Sequence, residues 1–148
     1  IKIVRIFNTY GPNMAIDDGR VVSNFINQAI HENDITINGD GKQTRSFQYI
    51  DDLIDGMILM MNSSDDFIGP VNIGNPNEIT INKLASLVLG LTGSSSDIIY
   101  KNLTEDDPKR RNPDIERAQT KLNWQPKYKL ERGLINTINY FNQIYEKN

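Results

Sequence analysis

A chain of 148 residues with 38% hydrophobic content is long enough for one domain with its own core, and a net charge of −3 argues against a general nucleic-acid surface. It has no cysteine and a single histidine, His31, which together exclude disulfides, thiolate nucleophiles, thiolate metal sites and a histidine-rich metal site. No run approaches the roughly 18 apolar residues of a membrane span and no signal-peptide pattern is read, so a soluble, cytoplasmic protein without metal is the expectation.

The first element is IKIVRIF, Ile1 to Phe7, a β-branched apolar run of the kind found inside buried parallel sheets. A strand that needs neighbours on both sides points to the C-terminal part of a longer protein. Gly11-Pro12 ends this strand, because that pair cannot continue a ladder. Ligands of α/β proteins sit outside the carboxyl ends of strands. Asn8 and Thr9 stand at such an end, although Asn8 can equally cap the turn through its own backbone. A polar loop with Asp17, Asp18 and Gly19 leads to an amphipathic helix, Val21 to Glu32, with Val22, Phe25, Ile26, Ala29 and Ile30 inward and His31 solvated in its last turn. Arg20 stands at the helix start, the unfavourable end for a cation. Helix N-termini bind anions, so Arg20 and the free N–H groups there could serve a phosphate together.

After a short strand at Ile35 to Ile37 comes GDGKQTRSFQYIDD, Gly39 to Asp52. Gly39, Asp40 and Gly41 predict a tight turn. Ser46 to Ile50 alternates as a half-buried strand would, with Phe47 and Tyr49 on one side. Asp51 or Asp52 then caps a helix whose apolar face is Leu53, Ile54, Met57, Ile58 and Met61. Arg45, at the junction of turn and strand, suits fork-shaped bonds to a phosphate or carboxylate, or is simply an exposed strand-end arginine.

Gly69 to Asn75 gives another brief strand. Thr80 caps a helix from Ile81 to about Leu91 that stops at Gly93, and Asp97 to Lys101 is again strand-like. EDDPKRRNPD, Glu105 to Asp114, is a proline-stiffened loop of mixed charge, with Asp114 capping a helix to Leu122. Trp124 is expected to pack beneath a last helix, about Glu131 to Tyr145, that buries Leu134, Ile138 and Phe141. Short strands alternating with helices define an α/β class. Arg20, Arg45 and Arg111 lie on three separate loops, an arrangement that suggests a small anionic ligand such as a diphosphate, or else self-paired loop charge. No G-x-G-x-x-G, P-loop, G-x-S-x-G or H-E-x-x-H pattern occurs.

RIFNTYGP (Arg5–Pro12), DDGRVVSNFI (Asp17–Ile26), GDGKQTRSFQYIDDL (Gly39–Leu53), GPVNIGNP (Gly69–Pro76) and DDPKRRNPDI (Asp106–Ile115) together resemble the C-terminal half of an extended short-chain dehydrogenase/reductase acting on nucleotide sugars. The likeness is greatest to the UDP-glucuronate decarboxylases. It implies residues 1–12 as the last part of a Rossmann sheet and 13–148 as a nucleotide-sugar-binding lobe. The NAD-binding half, with its Tyr-x-x-x-Lys pair, would lie upstream, so this chain alone would be inactive. The family oxidises the sugar at C4 with tightly held NAD, loses CO2 from the β-keto acid and reduces the ketone back.

By the same resemblance Asn8 contacts the substrate and Thr9 the nicotinamide end of the cofactor. Arg20 lies near the diphosphates of cofactor or substrate, Thr36, Ile37 and Asn38 line the uracil, and Arg45 holds the UDP phosphates. Arg111 is the catalytic residue, orienting the sugar carboxylate. Asn13 and Asn38 depart from the family pattern, which has Arg and Tyr there. Alternatives are a dTDP-hexose 4,6-dehydratase, a nucleotide-sugar 4-epimerase and a non-catalytic nucleotide-sugar-binding module. The full-length protein is expected to form a homodimer through its upstream half.

Overall fold

Residues 1–102 and 112–146 are described by the computed structural model. Among these residues eight short strands form four two-stranded pairings, and there are five helices. β1 (Val4–Ile6) lies parallel to β6 (Val71–Ile73), and β2 (Thr9–Tyr10) parallel to β5 (Gln48–Tyr49). β3 (Ile35–Asn38) runs parallel to β8 (Ile98–Lys101), while β4 (Thr44–Ser46) is antiparallel to β7 (Glu78–Thr80).

Two apolar clusters hold these elements. In the larger, Phe25, Ile26 and Ala29 of α1 (Val21–Ile30) meet Leu84, Ala85 and Val88 of α3 (Ile81–Thr92). Leu134, Ile138 and Phe141 of α5 (Leu130–Tyr145) belong to the same cluster, as do Ile35 and Ile37. Each such side chain contributes about 1.5–3 kcal/mol when fully buried. The second joins Leu53 and Met60 of α2 (Ile50–Met61), Val71 and Ile73 of β6, and Ala118 and Leu122 of α4 (Glu116–Leu122) to Trp124. Trp124 therefore packs on α2, not beneath α5 as its sequence position suggests, and its Nε1 donates to the Asp52 carbonyl at 3.0 Å.

Local chemistry explains where elements start and stop. Thr80 caps α3 by accepting from Lys83 N at 3.2 Å, and Gly93 ends it at φ 69°. Gly39 (φ 78°) and Gly41 (φ 70°) form the turn into β4. Neither Asp51 nor Asp52 caps α2: the cap position is Tyr49, and the Asp52 carboxylate instead accepts from Lys127 N at 2.8 Å and Tyr128 N at 3.1 Å. The stretch from Arg45 to Tyr49 is buried on both sides, not half-buried, because β4 and β5 have partners in different pairings. The end of α5 does not run into solvent; Tyr145 Oη donates to Asn27 Oδ1 at 2.6 Å, and its ring stands edge-on to His31.

α5 approaches Tyr10 and Tyr49 at Gly133, where an added Cβ would lie 2.8 Å from Tyr10 Cζ and from Tyr49 Cδ2. Gly133→Ala is therefore expected to destabilise by about 1–3 kcal/mol through overpacking. That exceeds the ~0.5–1 kcal/mol that Ala gains over Gly in a helix. A urea midpoint at or above that of the parent chain would show that the aromatic pair yields freely.

On the side of β1 and α2 the surface is apolar. Ile6 is 56% exposed, Ile58 49% and Met61 71%, with Ile1, Ile3, Ile54 and Ile68 also outward. Among the described residues β1 pairs with β6 alone, so its other edge is open and its apolar residues are not buried as expected of such a run. No helix among the described residues is long and apolar enough to cross a membrane.

Candidate functional site

Residues of β2, β3, β4 and β8 and the start of α1 surround a cleft of about 800 Å³. Asn8, Thr9, Arg20, Thr36, Ile37, Asn38 and Arg45 all line it. These are the sequence-predicted ligand-facing residues that lie within the described part of the chain. Arg111 lies outside the described residues. The cleft also takes in Lys101, Gln28, Gln43 and Asn24, which sequence reasoning missed. Arg20, Asn24 and Gln28 recur every fourth residue, a polar stripe along one helix face that could have been noticed. Lys101 carries no such signal. It reaches the cleft because β8 pairs in parallel with β3, setting Lys101 beside Asn38.

Most of these groups are held by internal bonds. The Thr9 hydroxyl donates to Phe7 O at 2.7 Å and accepts from Gln48 Nε2 at 3.4 Å, so it serves the strand junction first. Asn8 Nδ2 donates to Ser46 O at 3.4 Å, close to the upper limit for such a bond. Thr36 N donates to Gln28 Oε1, and Gln43 Nε2 donates to Asn38 O at 2.7 Å, so the strand carries side chains presented on an already bonded backbone. Arg45 is 7% exposed, and its Nη1 donates to Thr44 O at 2.7 Å. It is a buried cation at the cleft floor, not an exposed strand-end arginine.

Arg20 is the cap residue of α1, with no side-chain bond to the helix backbone, as its position in the sequence suggests. Its charge is not free: Asp18 Oδ2 lies 2.6 Å from Nε and 2.5 Å from Nη2. Asp18 also accepts from Arg20 N and from Ser23 Oγ, so this carboxylate is tied to the cap residue and the first turn of α1. Arg45 and Lys101 are the other cations among the described lining residues.

Burial pushes the Asp18 carboxyl up, but the Ser23 hydroxyl and the backbone, side chain and charge of Arg20 outweigh it and hold the group below its ordinary 3.8. A lowered folded-state value stabilises the fold above the unfolded value, and that contribution is lost as pH falls through the folded one. Asp18→Asn should therefore flatten the loss of stability below pH 3.8, read from urea midpoints at successively lower pH. An unchanged acid limb would mean that Asp18 gains nothing from its neighbours.

The described lining contains no acid, histidine or cysteine, and the Tyr10 hydroxyl is turned to Leu130 O at 3.1 Å. Burial, then the nearby Tyr49, Asp52 and Glu131, raise that phenol well above its ordinary value. The arginines, lysine and amides of the lining equip the cleft to bind an anion with planar, polar parts. For a dinucleotide the fit is partial. Thr9 stands in the lining, whereas Gln48, whose Oε1 has no partner among the described residues, is fully buried outside it, and the sequence has no glycine-rich turn for a pyrophosphate.

An α/β chain with its polar cleft at strand ends is the architecture of nucleotide-handling folds. By its match to the family model over residues 1–74, this chain belongs to the NAD dependent epimerase/dehydratase family. Among curated relatives it is 50% identical to UDP-glucuronic acid decarboxylase 1 of Arabidopsis thaliana over 141 residues, covering 95% of this chain and 32% of the relative. It is 47% identical to the Xenopus tropicalis protein of the same name, covering 99% of this chain and 34% of that one. The chain thus spans about a third of the length of the curated relatives it matches. Among solved structures it is similar to the UDP-glucose 4-epimerase of Thermotoga maritima with UDP-glucose (TM-score 0.91, 31% identity, 97% of this chain and 46% of that one). It is also similar to the Bacillus cereus UDP-glucuronic acid 4-epimerase in complex with UDP-glucuronic acid and NAD (TM-score 0.89, 32% identity, 97% and 46%).

Proposed function

We propose that this chain is the nucleotide-sugar-binding part of an NAD-dependent enzyme that converts UDP-glucuronate to UDP-xylose with loss of CO2. The observation that carries the reading is the convergence of Asn8, Arg20, Thr36, Ile37, Asn38 and Arg45 on one cleft. Identity near 50% to UDP-glucuronic acid decarboxylases supports the choice of reaction. Asn38 and Gln43 face the base. Arg45 and Arg20 hold the diphosphate, since guanidinium forks match phosphate oxygens. Asn8 meets the sugar, and Thr9 meets the nicotinamide end of NAD. When bound, NAD accepts and returns the hydride at C4. Arg111 orients the sugar carboxylate; too tight a grip there would stabilise the ground state and slow CO2 loss, so its role is positioning.

In this reading residues 1–12 are the last part of a Rossmann sheet whose other strands belong to a dinucleotide-binding half of the longer protein. The open edge of β1 and the apolar face of α2 are where that half would pack, and the greater length of the relatives supports it. Dimerisation through that half and a cytoplasmic location belong to the same proposal. The similarity to UDP-sugar 4-epimerases favours one second reading, inversion at C4 with the carboxylate kept. Incubating the longer protein with UDP-glucuronate and NAD separates them. Release of CO2 with a UDP-pentose is expected, and a C4 epimer with no pentose would remove the decarboxylase. Arg111→Lys, which keeps charge but not the fork, is expected to abolish pentose formation.

A further inference from the structure

We propose that Asp18 is a positioning residue that sets the Arg20 guanidinium in place before any ligand arrives. The inference rests on reading the cleft as a diphosphate seat. Asp18 is itself anchored: its Oδ1 accepts from Arg20 N at 2.9 Å and Ser23 Oγ at 2.5 Å, and the Ser23 hydroxyl lies 2.9 Å from Arg20 O. Its Oδ2 takes Nε and Nη2 of Arg20. Nη1 then donates across to Thr9 O at 3.2 Å. Arg20 is thereby a strut from the cap of α1 to the start of β2, fixed at both sides of its head.

The asymmetry of exposure shows which partner serves which. The Asp18 side chain is 13% exposed and that of Arg20 58%. The carboxylate is part of the framework, whereas the guanidinium is presented to the cleft. Five N–H groups are available on a guanidinium. Nε, Nη2 and Nη1 each use one among the described residues, which leaves one on each terminal nitrogen for a phosphate oxygen. A ligand adds to this arrangement and need not displace the acid. An arginine free to rotate would lose rotamer entropy on binding; one already held does not.

The test uses this chain, with UDP and uridine as probes, in calorimetric titrations of the parent, Asp18→Asn, Arg20→Gln and the double variant. Asp18→Asn is expected to weaken UDP about tenfold, the factor that rotamer freezing supplies. It should leave uridine, which has no phosphate, unchanged. In the Arg20→Gln background Asp18→Asn should add nothing. Arg20→Lys should not restore affinity, since one ammonium cannot reach Asp18, Thr9 O and a phosphate together. A readout without ligand accompanies these: the Arg20 Nε–H relaxation should be rigid in the parent and mobile in Asp18→Asn. Tighter UDP binding in Asp18→Asn would make the acid a competitor and overturn the proposal. So would equal losses for UDP and uridine, or additive losses in the double variant. A parent chain with no affinity for UDP would instead remove the diphosphate seat, and this inference with it.

Discussion

Arg45→Ala is expected to weaken UDP binding by about 1.5–3 kcal/mol, or one to two orders of magnitude in Kd, the scale of a hydrogen bond to a charged group. Two observations make this the largest effect among the cleft residues. At 7% exposure the guanidinium is held away from bulk water, where charge counts for more than at a surface. Its backbone is also fixed, since β4 is paired to β7 with Arg45 opposite Ile79, and Nη1 is pinned to Thr44 O. Lys at this position keeps the charge but not the fork, so it should recover less than half of the loss. Uridine affinity should hardly change, because the effect is on phosphate. Titrations run well below each variant's melting temperature separate this from loss of fold. An unchanged UDP dissociation constant would take Arg45 out of the site.

Asp52→Ala should have the largest effect on stability, about 3 kcal/mol or more, from two bonds to a charged acceptor of roughly 1.5–3 kcal/mol each. The residue is 1% exposed and joins α2 to the connection before α5 from both of its ends. The carboxylate takes Lys127 N and Tyr128 N, and the backbone carbonyl takes the Trp124 indole. Removing the side chain leaves two backbone N–H groups without an acceptor beside a packed core. Asn retains one acceptor oxygen and sets an amide N–H against a backbone N–H, so it should recover at most half. Asp51, exposed one position earlier, should cost far less. Equilibrium urea unfolding measures all three, and equal losses at positions 51 and 52 would contradict the account.

What the sequence disclosed followed the range of the physics involved. Thr80 with Gly93, and Gly39 with Gly41, act through their own few neighbours, and those boundaries were legible. The inward face of α2 was not. That helix is apolar nearly all round, and Ile54, Met57, Ile58 and Met61, expected inside, are outside, while Asp52, Gly56 and Met60 are in. The choice is made at a distance: at Gly56 an added Cβ would lie 2.9 Å from Ile73 and 3.1 Å from the Trp124 indole, so only glycine permits that approach. The alternation from Ser46 to Ile50 misled for the same reason, because partners on two different pairings bury both sides. Of the cleft, Arg20 and Arg45 stood out by position and Thr36 to Asn38 by resemblance. Asp18, placed by the sequence only in a polar loop, stands out once its bonds to Arg20 are seen. Lys101 needed the parallel register of β3 and β8.

The open strand edge beside Ile58 and Met61 sets how the chain behaves in the test tube. Unpaired ladder groups next to a greasy helix face template self-pairing. Light scattering that climbs with protein concentration is therefore expected, whether or not nucleotide is added. Ile58→Lys should quiet it and leave UDP titrations untouched, which makes that variant the better starting material for every measurement of affinity above.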